Sequence, residues 1–550
     1  MMQRVTIITL IVMLVMSTAA LFAAGTTEPA SAAEDGLVTV RTVRHHGGSQ
    51  VYYEGDTVED NIWTRFLEDR FGIRLEHMWV VTGTAADYEQ RLNLSVLSGD
   101  VPDWFTISRI ETYRDFASAG HLYEVKPTFD RVAAPEVRDR LDVMDGILWR
   151  AMAVNGRNYS IPGTKFMFQD NKVLWIRQDW LDGLGLTAPS TYDEMYAVAQ
   201  AFANEDPNET GRRDTIAFAF DNSIMSWMAS LDPFFGMFGT IPGTWLRGIW
   251  IEAPDGDLVY PGIQPAAKDA LAELAKWYHE GLVNQDFVTQ NEQALAQLVG
   301  AGSVGMYFGS PWNPTWPQPA TLENVPGAEW KAYPIPSGPT GRRAHFDTPI
   351  IGAPGIVFGA DFRHVERVLE VINWNIVEQE TPRYGEFARE YAMGRYFEED
   401  PDNPGYIRPI PGREMQIMAG AGFNDPFRYA RLIEAYDADM HLDIANKSVV
   451  PSGVWSGLNE LIQGPEYANA LRIVAADHEH ALIDQYAAAT SGPVHGRTWG
   501  FLSSLESETF ARIIMGELPV SAFDSFVTEW RSSGGDELER EVNEWWRSVR

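Results

Sequence analysis

The segment EDNIWTRFLEDRFGIRLEHMWVV, residues 59–81, sets the fold class, because a helix pattern passes directly into a strand pattern. In its first half, apolar residues lie at the helical positions Ile62, Phe66 and Leu67. In its second half, apolar and polar residues alternate, as they do along a half-buried strand. The segment therefore predicts a helix followed by a strand.

The same alternation of elements continues on either side of this segment. Residues 37–43 are rich in β-branched residues and predict a strand, residues 87–99 predict a second helix, and residues 102–108 predict a third strand. A βαβαβ succession with short connections implies a mainly parallel sheet covered by helices. Ligands of such sheets bind at the carboxyl ends of the strands, which here are residues 44–48 and 108–113.

A second α/β section follows further along the chain. Thr191 with Glu194 forms a capping-box pattern that predicts a helix start. Residues 215–220 predict a buried strand, and residues 265–281 predict a helix that begins at proline and ends at glycine. Residues 303–312 predict a strand that runs into a Gly-Ser-Pro-Trp turn.

Composition limits the function classes. The chain has 550 residues, enough for two domains, and its net charge is −33. Nucleic acid is disfavoured as a partner, since its binding relies on clusters of cations, and the sequence contains no run of lysine or arginine. There is no cysteine, which excludes disulfides, thiolate metal sites and cysteine nucleophiles.

The first residues have the layout of a secretory signal peptide, with Arg4 before an apolar run and then small residues. We assign residues 1–24 to the signal peptide and residues 25–36 to a flexible leader. An uncleaved membrane anchor is the competing interpretation, because the apolar run approaches spanning length. The sequence therefore predicts an exported protein.

Catalytic motifs are missing from the sequence. It contains no GxSxG elbow, no HExxH and no phosphate-binding loop. A glycosidase function stays open, because it needs only a pair of acidic residues. The 76 carboxylates offer many such pairs, and no sequence pattern selects one.

Aromatic and basic side chains at turns and strand ends are the candidates for binding a ligand. Tryptophan rings beside glycine and serine suit sugars, because the ring stacks on the apolar face of a pyranose while polar neighbours bond its hydroxyls. Core packing is the competing interpretation for any one tryptophan. Trp312 follows a tight Gly-Ser-Pro turn, and Trp499 also lies beside glycine. The candidate ligand-binding residues are Trp312, Trp104, Trp455, Tyr159, Arg109, His45 and His46.

The charge of the ligand stays open. Arg44, His45, His46 and Arg109 lie near strand ends, where they could pair with the carboxylates of an acidic sugar. The competing interpretation is that these four are solvated loop residues.

The acidic stretch DPNETGRRD, residues 206–214, resembles the opening of an EF-hand calcium loop, with Gly211 at its sixth position. The closing glutamate is missing, since Ala217 occupies the twelfth position. A polar turn between helix and strand is the competing interpretation. We expect no required cofactor and consider a structural calcium ion. The candidate metal ligands are Asp206, Asn208, Thr210, Arg212 through its carbonyl, and Asp214.

Several runs resemble the extracellular solute-binding proteins of bacterial ABC sugar importers. These runs are GDVPDWFTIS, YSIPG, GSVGMYFGSPW, the stretch 174–215 and the C-terminal stretch from residue 506. The resemblance extends over residues 36–550 and is closest to the long, lipoprotein-like branch that includes alginate-oligosaccharide binders. In those binders the similar loop binds calcium with an acidic residue at position ten, where this chain has Thr215.

The resemblance implies a type II periplasmic-binding fold, in which two α/β lobes are joined by a multi-segment hinge and clamp the ligand between them. By this likeness, lobe 1 is residues 37–165 plus about 345–385. Lobe 2 is residues 166–344 plus about 386–505, and residues 506–550 form a C-terminal helical segment packed on the lobes. Closure on the ligand would precede docking on the permease, and no bond in the ligand is broken.

The lack of a lipobox cysteine departs from this branch and favours a freely soluble periplasmic protein. We expect this protein to be a monomer. The leading hypothesis is a carbohydrate-binding component of an ABC importer, with permease subunits in the inner membrane as partners. A secreted glycosidase or lyase, and a binding protein for a non-sugar ligand, are the alternatives.

Overall fold

The computed structural model describes residues 36–46, 55–82, 85–164, 171–224, 228–242, 250–347, 353–379, 387–395, 397–399, 407–409, 465–477, 481–483 and 492–549. In chain order the strands are β1 (Val38–His46), β2 (Ile73–Thr82), β3 (Trp104–Ile107), β4 (Ser160–Ile161), β5 (Val173–Arg177), β6 (Ile216–Phe218), β7 (Ile251–Glu252), β8 (Leu258–Val259), β9 (Val304–Gly309), β10 (Trp330–Tyr333), β11 (His345–Asp347), β12 (Gly355–Phe358), β13 (Phe397–Glu399), β14 (Ile407–Pro409) and β15 (Ala481–Ile483).

The α-helices are α1 (Ile62–Phe71), α2 (Ala85–Leu97), α3 (Ile110–Ser118), α4 (Lys126–Val132), α5 (Pro135–Leu141), α6 (Val143–Met152), α7 (Gln178–Leu184), α8 (Tyr192–Asn204), α9 (Asp232–Gly236), α10 (Pro265–His279), α11 (Glu292–Gly300), α12 (Gln318–Asn324), α13 (Val365–Gln379), α14 (Pro465–Ala476), α15 (Pro493–Ile514), α16 (Ala522–Trp530) and α17 (Asp536–Val549). Short 3₁₀ turns lie at Pro261–Ile263 and Phe287–Thr289, and π-helical turns at Phe387–Ala392 and Arg531–Gly535.

The first sheet has the strand order β2-β1-β3-β12-β4 within the described residues. Strand β1 runs parallel to β2 and to β3, as the βαβαβ pattern predicts. Strand β12 returns from much later in the chain and pairs antiparallel with β3 and β4. Helix α1 starts as its sequence dictates: Asn61 caps it through hydrogen bonds to the next turn, and Gly72 ends it in the left-handed conformation.

Alternate residues of β3 enter cores on opposite faces of the first sheet. Phe105 and Ile107 pack with helices α2 and α3, whereas Trp104 packs with α1 and α13. Trp104 is only 1% exposed, so its assignment as a ligand-binding residue is wrong. The strand begins at the tryptophan itself, and pairing with β12 places the indole in the core instead of in a turn.

The second sheet has the order β10-β5-β9-β6 within the described residues. The predicted capping box of α8 is confirmed: Thr191 Oγ1 accepts a hydrogen bond from Glu194 N, and Glu194 Oε2 accepts one from Thr191 N. Bonding to Ser190 and Thr191 holds the pKa of the Glu194 carboxyl below its usual value. The predicted helix from Pro265 and the predicted strand that leads into the Trp312 turn are also present.

Helices α15 to α17 pack on the core of the second sheet. Phe510 of α15 stacks on Phe235 at 5.8 Å, and Trp530 of α16 stacks on Tyr260 at 4.9 Å with nearly parallel rings. Helix α15 runs without interruption through residue 506, where we placed the start of the C-terminal segment. Trp499 lies inside this helix and is buried, so the turn environment predicted for it is wrong.

The chain passes between the sheets at least twice within the described residues. It leaves the first sheet after β4 and enters the second at β5, then leaves the second after β10 and re-enters the first at β12. Tyr391 and Ala392 still pack on the core of the first sheet, whereas Glu466 of α14 already accepts a hydrogen bond from Ala332 of the second. The final return to the second sheet therefore lies after residue 392, later than the predicted position near 386.

Candidate functional site

The carboxyl ends of three parallel strands meet at one edge of the first sheet. In β1, His45 is opposite Val81 of β2, and the register between Thr42 and Trp104 brings the end of β3 to the same level. Together with the start of β12 and the residues after β4, these strand ends form what we call the first edge. Ligands of parallel α/β sheets bind at such edges.

The first crossing segment leaves from the first edge, and Gly355 makes room for it. Gly355 has φ +84°, and a Cβ there would lie 2.4 Å from Ile161 O and 2.7 Å from Gly163 N. Any larger residue would collide with this backbone. The close approach holds the outgoing strand β4 and the incoming strand β12 side by side at the crossing.

The second sheet presents a matching edge to the crossing segments. Val173, the first residue of β5, is opposite Gly309, the last residue of β9. Tyr333, where β10 ends, pairs with the next residue of β5, Leu174. The chain therefore enters and leaves the second sheet at this edge, which we call the second edge. The crossing segments therefore join the first edge to the second edge.

The first edge carries His45 and Arg109 at the ends of neighbouring strands. The His45 ring lies 6.3 Å from the ring of Tyr88 and is half-buried. Arg109 follows β3 and is 58% exposed, with its Nε 3.8 Å from the carboxylate of Glu111. His46 is half-buried at the last position of β1. The structure thus brings these three predicted residues to one edge.

Tyr159 does not lie at the first edge. It precedes β4, in which Ser160 is level with Val357 of β12 and through it with Phe105 of β3. This register places Tyr159 at the level of Trp104, where β3 begins. The Tyr159 backbone N–H donates a 3.1 Å hydrogen bond to the Tyr113 hydroxyl. The structure therefore separates Tyr159 from the other candidates, which is a correction to the predicted set.

Trp312 lies in a series of tight turns directly after β9, at the second edge. Asn313 N bonds to Ser310 O at 3.1 Å, and both the N–H and the hydroxyl of Thr315 bond to Trp312 O at 2.8 Å. The Trp312 side chain is half-buried and packs with Trp316 against the core on one face of the second sheet. The remaining candidate, Trp455, lies outside the described residues.

Three polar residues at the second edge were missed from the sequence. The Lys172 ammonium lies 3.4 Å from the Ser310 hydroxyl, and both side chains are buried. Asp221 follows β6, is buried, and accepts a hydrogen bond from Ser223 N. Lys172 and Ser310 are 138 positions apart, so only their places beside strand ends could have indicated them.

The acidic loop gathers side-chain oxygens around one hydroxyl. Thr210 Oγ1 lies 3.0 Å from Asp214 Oδ1, 3.3 Å from Asn208 Oδ1 and 3.4 Å from Asp206 Oδ1. Hydrogen bonds from Asn208 and Thr210 hold the pKa of Asp214 below its usual value. The loop precedes β6 and so lies at the opposite end of that strand from Asp221.

This donor set is oxygen-rich, as calcium requires, but it contains only two carboxylates. Among the residues that the structure describes, no group of three or more histidine, cysteine or acidic side chains is arranged to hold a metal ion. The twelfth position is Ala217, which is buried in β6. The loop therefore fits calcium only with amide, hydroxyl and carbonyl oxygens completing the shell.

Two α/β units that are joined by crossing segments, with strand ends facing the crossings, define a two-lobed binding protein. The model of the family described as bacterial extracellular solute-binding protein matches residues 54–374, more than half of the chain. The chain therefore belongs to this family. None of the helices in the described part of the chain combines the length and the apolar character that a membrane crossing needs.

Individual relatives are distant. Lipoprotein LipO of Bacillus subtilis is 23% identical over 506 residues, covering 88% of each chain. The polygalacturonan/rhamnogalacturonan-binding protein YtcQ of the same organism is 26% identical over 250 residues, which is 44% of this chain and 45% of YtcQ. The fold resembles that of the Streptococcus pneumoniae ABC-transporter substrate-binding protein FusA in complex with kestose. Its TM-score is 0.63 at 17% identity, over 93% of this chain and 99% of FusA.

Proposed function

We propose that this chain is the carbohydrate-binding component of an ABC importer, which captures an oligosaccharide between the two edges. The observation that carries this proposal is Trp312, a half-buried indole in a rigid turn at the second edge. An aromatic face beside polar groups suits a pyranose ring. The relatives support it, because YtcQ is named for binding polygalacturonan and rhamnogalacturonan, and the structure of FusA is that of a complex with kestose.

The mechanism follows from the two-lobed fold. The sugar contacts side chains of both edges, such as the exposed Arg109 of the first edge and Trp312 of the second edge. Because those groups come from both lobes, the sugar binds most tightly when the lobes are closed, and its affinity for that state drives closure. The chain acts outside the cytoplasm as a soluble monomer, hands the sugar to membrane permease subunits, and breaks no bond in it.

Thermal-shift screening of neutral and acidic oligosaccharides, followed by calorimetry of each hit, tests this proposal. We expect one-to-one binding with recovery of the intact sugar. Release of shorter products would indicate a secreted glycosidase or lyase instead. Stabilisation by non-sugar solutes alone would contradict a carbohydrate ligand.

We also propose that the loop 206–214 holds a structural calcium ion. The groups that would hold it are the side chains of Asp206, Asn208, Thr210 and Asp214 and the Arg212 carbonyl. Bound calcium would cross-link the loop and supply no chemistry to the cleft. With two carboxylates and no closing glutamate, we expect weak affinity, about 10⁻⁴ to 10⁻³ M as in extracellular modules.

A further inference from the structure

We propose that the captured sugar is acidic and that Arg44 and Arg109 of the first edge bind its carboxylates. The inference rests on the proposed carbohydrate-binding function and names the class of sugar. Its starting point is a contrast in charge, since the whole chain carries −33. The ends of the parallel strands β1 and β3 nevertheless carry four basic side chains, Arg44, His45, His46 and Arg109.

Arg44 is the strongest indication of a carboxylate ligand. It is the third residue from the end of β1 and only 7% exposed. No hydrogen bond or ion pair joins its side chain to another residue in the described part of the chain. A guanidinium that is withdrawn from most of the solvent and has no ionic partner is costly, and a carboxylate is the group that satisfies it best, through two parallel hydrogen bonds.

Arg109 adds a second guanidinium at the same edge. Its distance of 3.8 Å to Glu111 exceeds that of a hydrogen bond, and its side chain is 58% exposed. The N–H groups of Arg109 are therefore free to bond a ligand that enters the cleft. An acidic oligosaccharide has a carboxylate on successive rings, so it suits two arginines of which one lies near the end of β1 and the other between β3 and α3.

Two acidic residues, Glu89 and Glu111, lie near the basic residues of the first edge. Glu89 is buried and accepts hydrogen bonds from Ser108 N at 3.1 Å and Ser108 Oγ at 2.6 Å through one oxygen. Its other oxygen has no hydrogen-bond partner among the described residues. That oxygen is enclosed by the protein, so Glu89 is not placed to contact a sugar. Glu111 is the other acid beside Arg109.

Calorimetry with matched ligands tests the inference. The acidic probes are oligogalacturonates, oligomannuronates, oligoguluronates and glucuronate-containing xylan fragments, and each has a neutral counterpart with its carboxyls methyl-esterified or reduced. We expect one acidic probe to bind and its neutral counterpart to bind at least tenfold more weakly. Equal affinity for both forms, or binding of neutral sugars alone, would overturn the inference and leave the proposed function standing. Binding of no saccharide at all would overturn both.

Substitutions of the two arginines test whether they are the groups that bind the carboxylates. Arg109→Gln should weaken binding of the acidic probe about ten- to a hundredfold while leaving the weaker affinity for the neutral counterpart unchanged. Arg74→Gln is the matched control, because Arg74 is similarly exposed at 54% and lies at the start of β2, at the opposite end of the same sheet. Arg44→Gln should also weaken binding of the acidic probe. If this variant does not fold, the Arg109 variant still tests the inference, because Arg109 is exposed. Equal losses for Arg109→Gln and Arg74→Gln would contradict the assignment.

Discussion

The indole nitrogen of Trp175 donates a 3.1 Å hydrogen bond to the carbonyl oxygen of Ser310. Trp175 is fully buried in the core of the second sheet, whereas Ser310 begins the turn that carries Trp312. One bond thus ties the turn at the second edge to the buried core of the lobe. The orientation of Trp312 therefore depends on a core residue that cannot touch the ligand.

Replacing Trp175 with phenylalanine should weaken sugar binding about three- to tenfold and lower the free energy of unfolding by about 1–3 kcal/mol, since a bond and part of a ring are lost. Trp330→Phe is a matched control. Trp330 is buried in the same core, and its indole nitrogen has no hydrogen-bond partner among the described residues. Calorimetry measures the affinity of each variant for the sugar, and urea unfolding measures its stability. Equal losses of affinity in the two variants would show that the hydrogen bond between Trp175 and Ser310 has no role in sugar binding.

Removing the indole of Trp312 should abolish most of the binding. Trp312→Ala should lower sugar affinity at least tenfold, because the stacking surface disappears, and should lower the melting temperature only modestly, because the ring is half-buried. Trp546 is half-buried in α17, and its Nε1 bonds to Gly256 O at 3.1 Å. Trp546→Ala should reduce stability and leave affinity unchanged. Undiminished binding by the Trp312 variant would place the sugar elsewhere.

Much of the fold is predictable because its signals are local. The capping box of Thr191 and Glu194 and the helix that starts at Pro265 depend on near neighbours in the sequence, and both are confirmed. The predictions for Trp104 and Trp499 were wrong because the environment of each ring depends on residues that are distant in the sequence. Turn-forming residues flank both in the sequence, but pairing of β3 with β12 and packing of α15 on the second core bury them.

The candidate site was predictable only in part, because its two edges bring together residues that are far apart in the sequence. His45 and Arg109 were identified because each follows the pattern of a strand end. Lys172 and Ser310 look like ordinary polar residues until the pairing of β5 with β9 places them side by side. Tyr159 was misplaced because the register of the two-residue strand β4 cannot be derived from its own sequence.

Calcium should stabilise the acidic loop. Asp206→Ala and Asp214→Ala should each lower the melting temperature more in millimolar calcium than in chelator, since the variants then lose ligands of the ion besides the hydrogen bonds that the two carboxylates make within the loop. Glu205→Ala is the control, because Glu205 is exposed and directly precedes the loop. If the two aspartate variants lose the same stability with and without calcium, the loop is a hydrogen-bonded turn and the metal proposal is wrong.

Glu506 should make stability depend on pH. It is fully buried in α15, and burial raises the pKa of its carboxyl to about 8. In the unfolded chain the same carboxyl has a pKa of about 4.3. Between these values the folded state keeps a proton that the unfolded state releases. Each pH unit across this window therefore removes up to about 1.4 kcal/mol from the free energy of unfolding.

Glu506→Gln should cancel this dependence, so the stability of the variant relative to the native chain should rise from pH 5 to pH 8. Urea unfolding at several pH values measures the difference. Glu508→Gln, two positions along the same helix and 73% exposed, should leave the pH profile unchanged. Parallel profiles for the native chain and the Glu506 variant would show that this carboxyl ionises normally.

The distance between the lobes during binding tests the central claim most directly. The chain has no cysteine, so Ser118→Cys in α3 and Glu323→Cys in α12 place one exposed spin label on each lobe without competing sites. Pulsed electron resonance should show a shorter and narrower distance distribution once the sugar identified by calorimetry saturates the protein. An unchanged distribution in a sample that calorimetry shows to be saturated would contradict capture of the sugar by closure of the cleft.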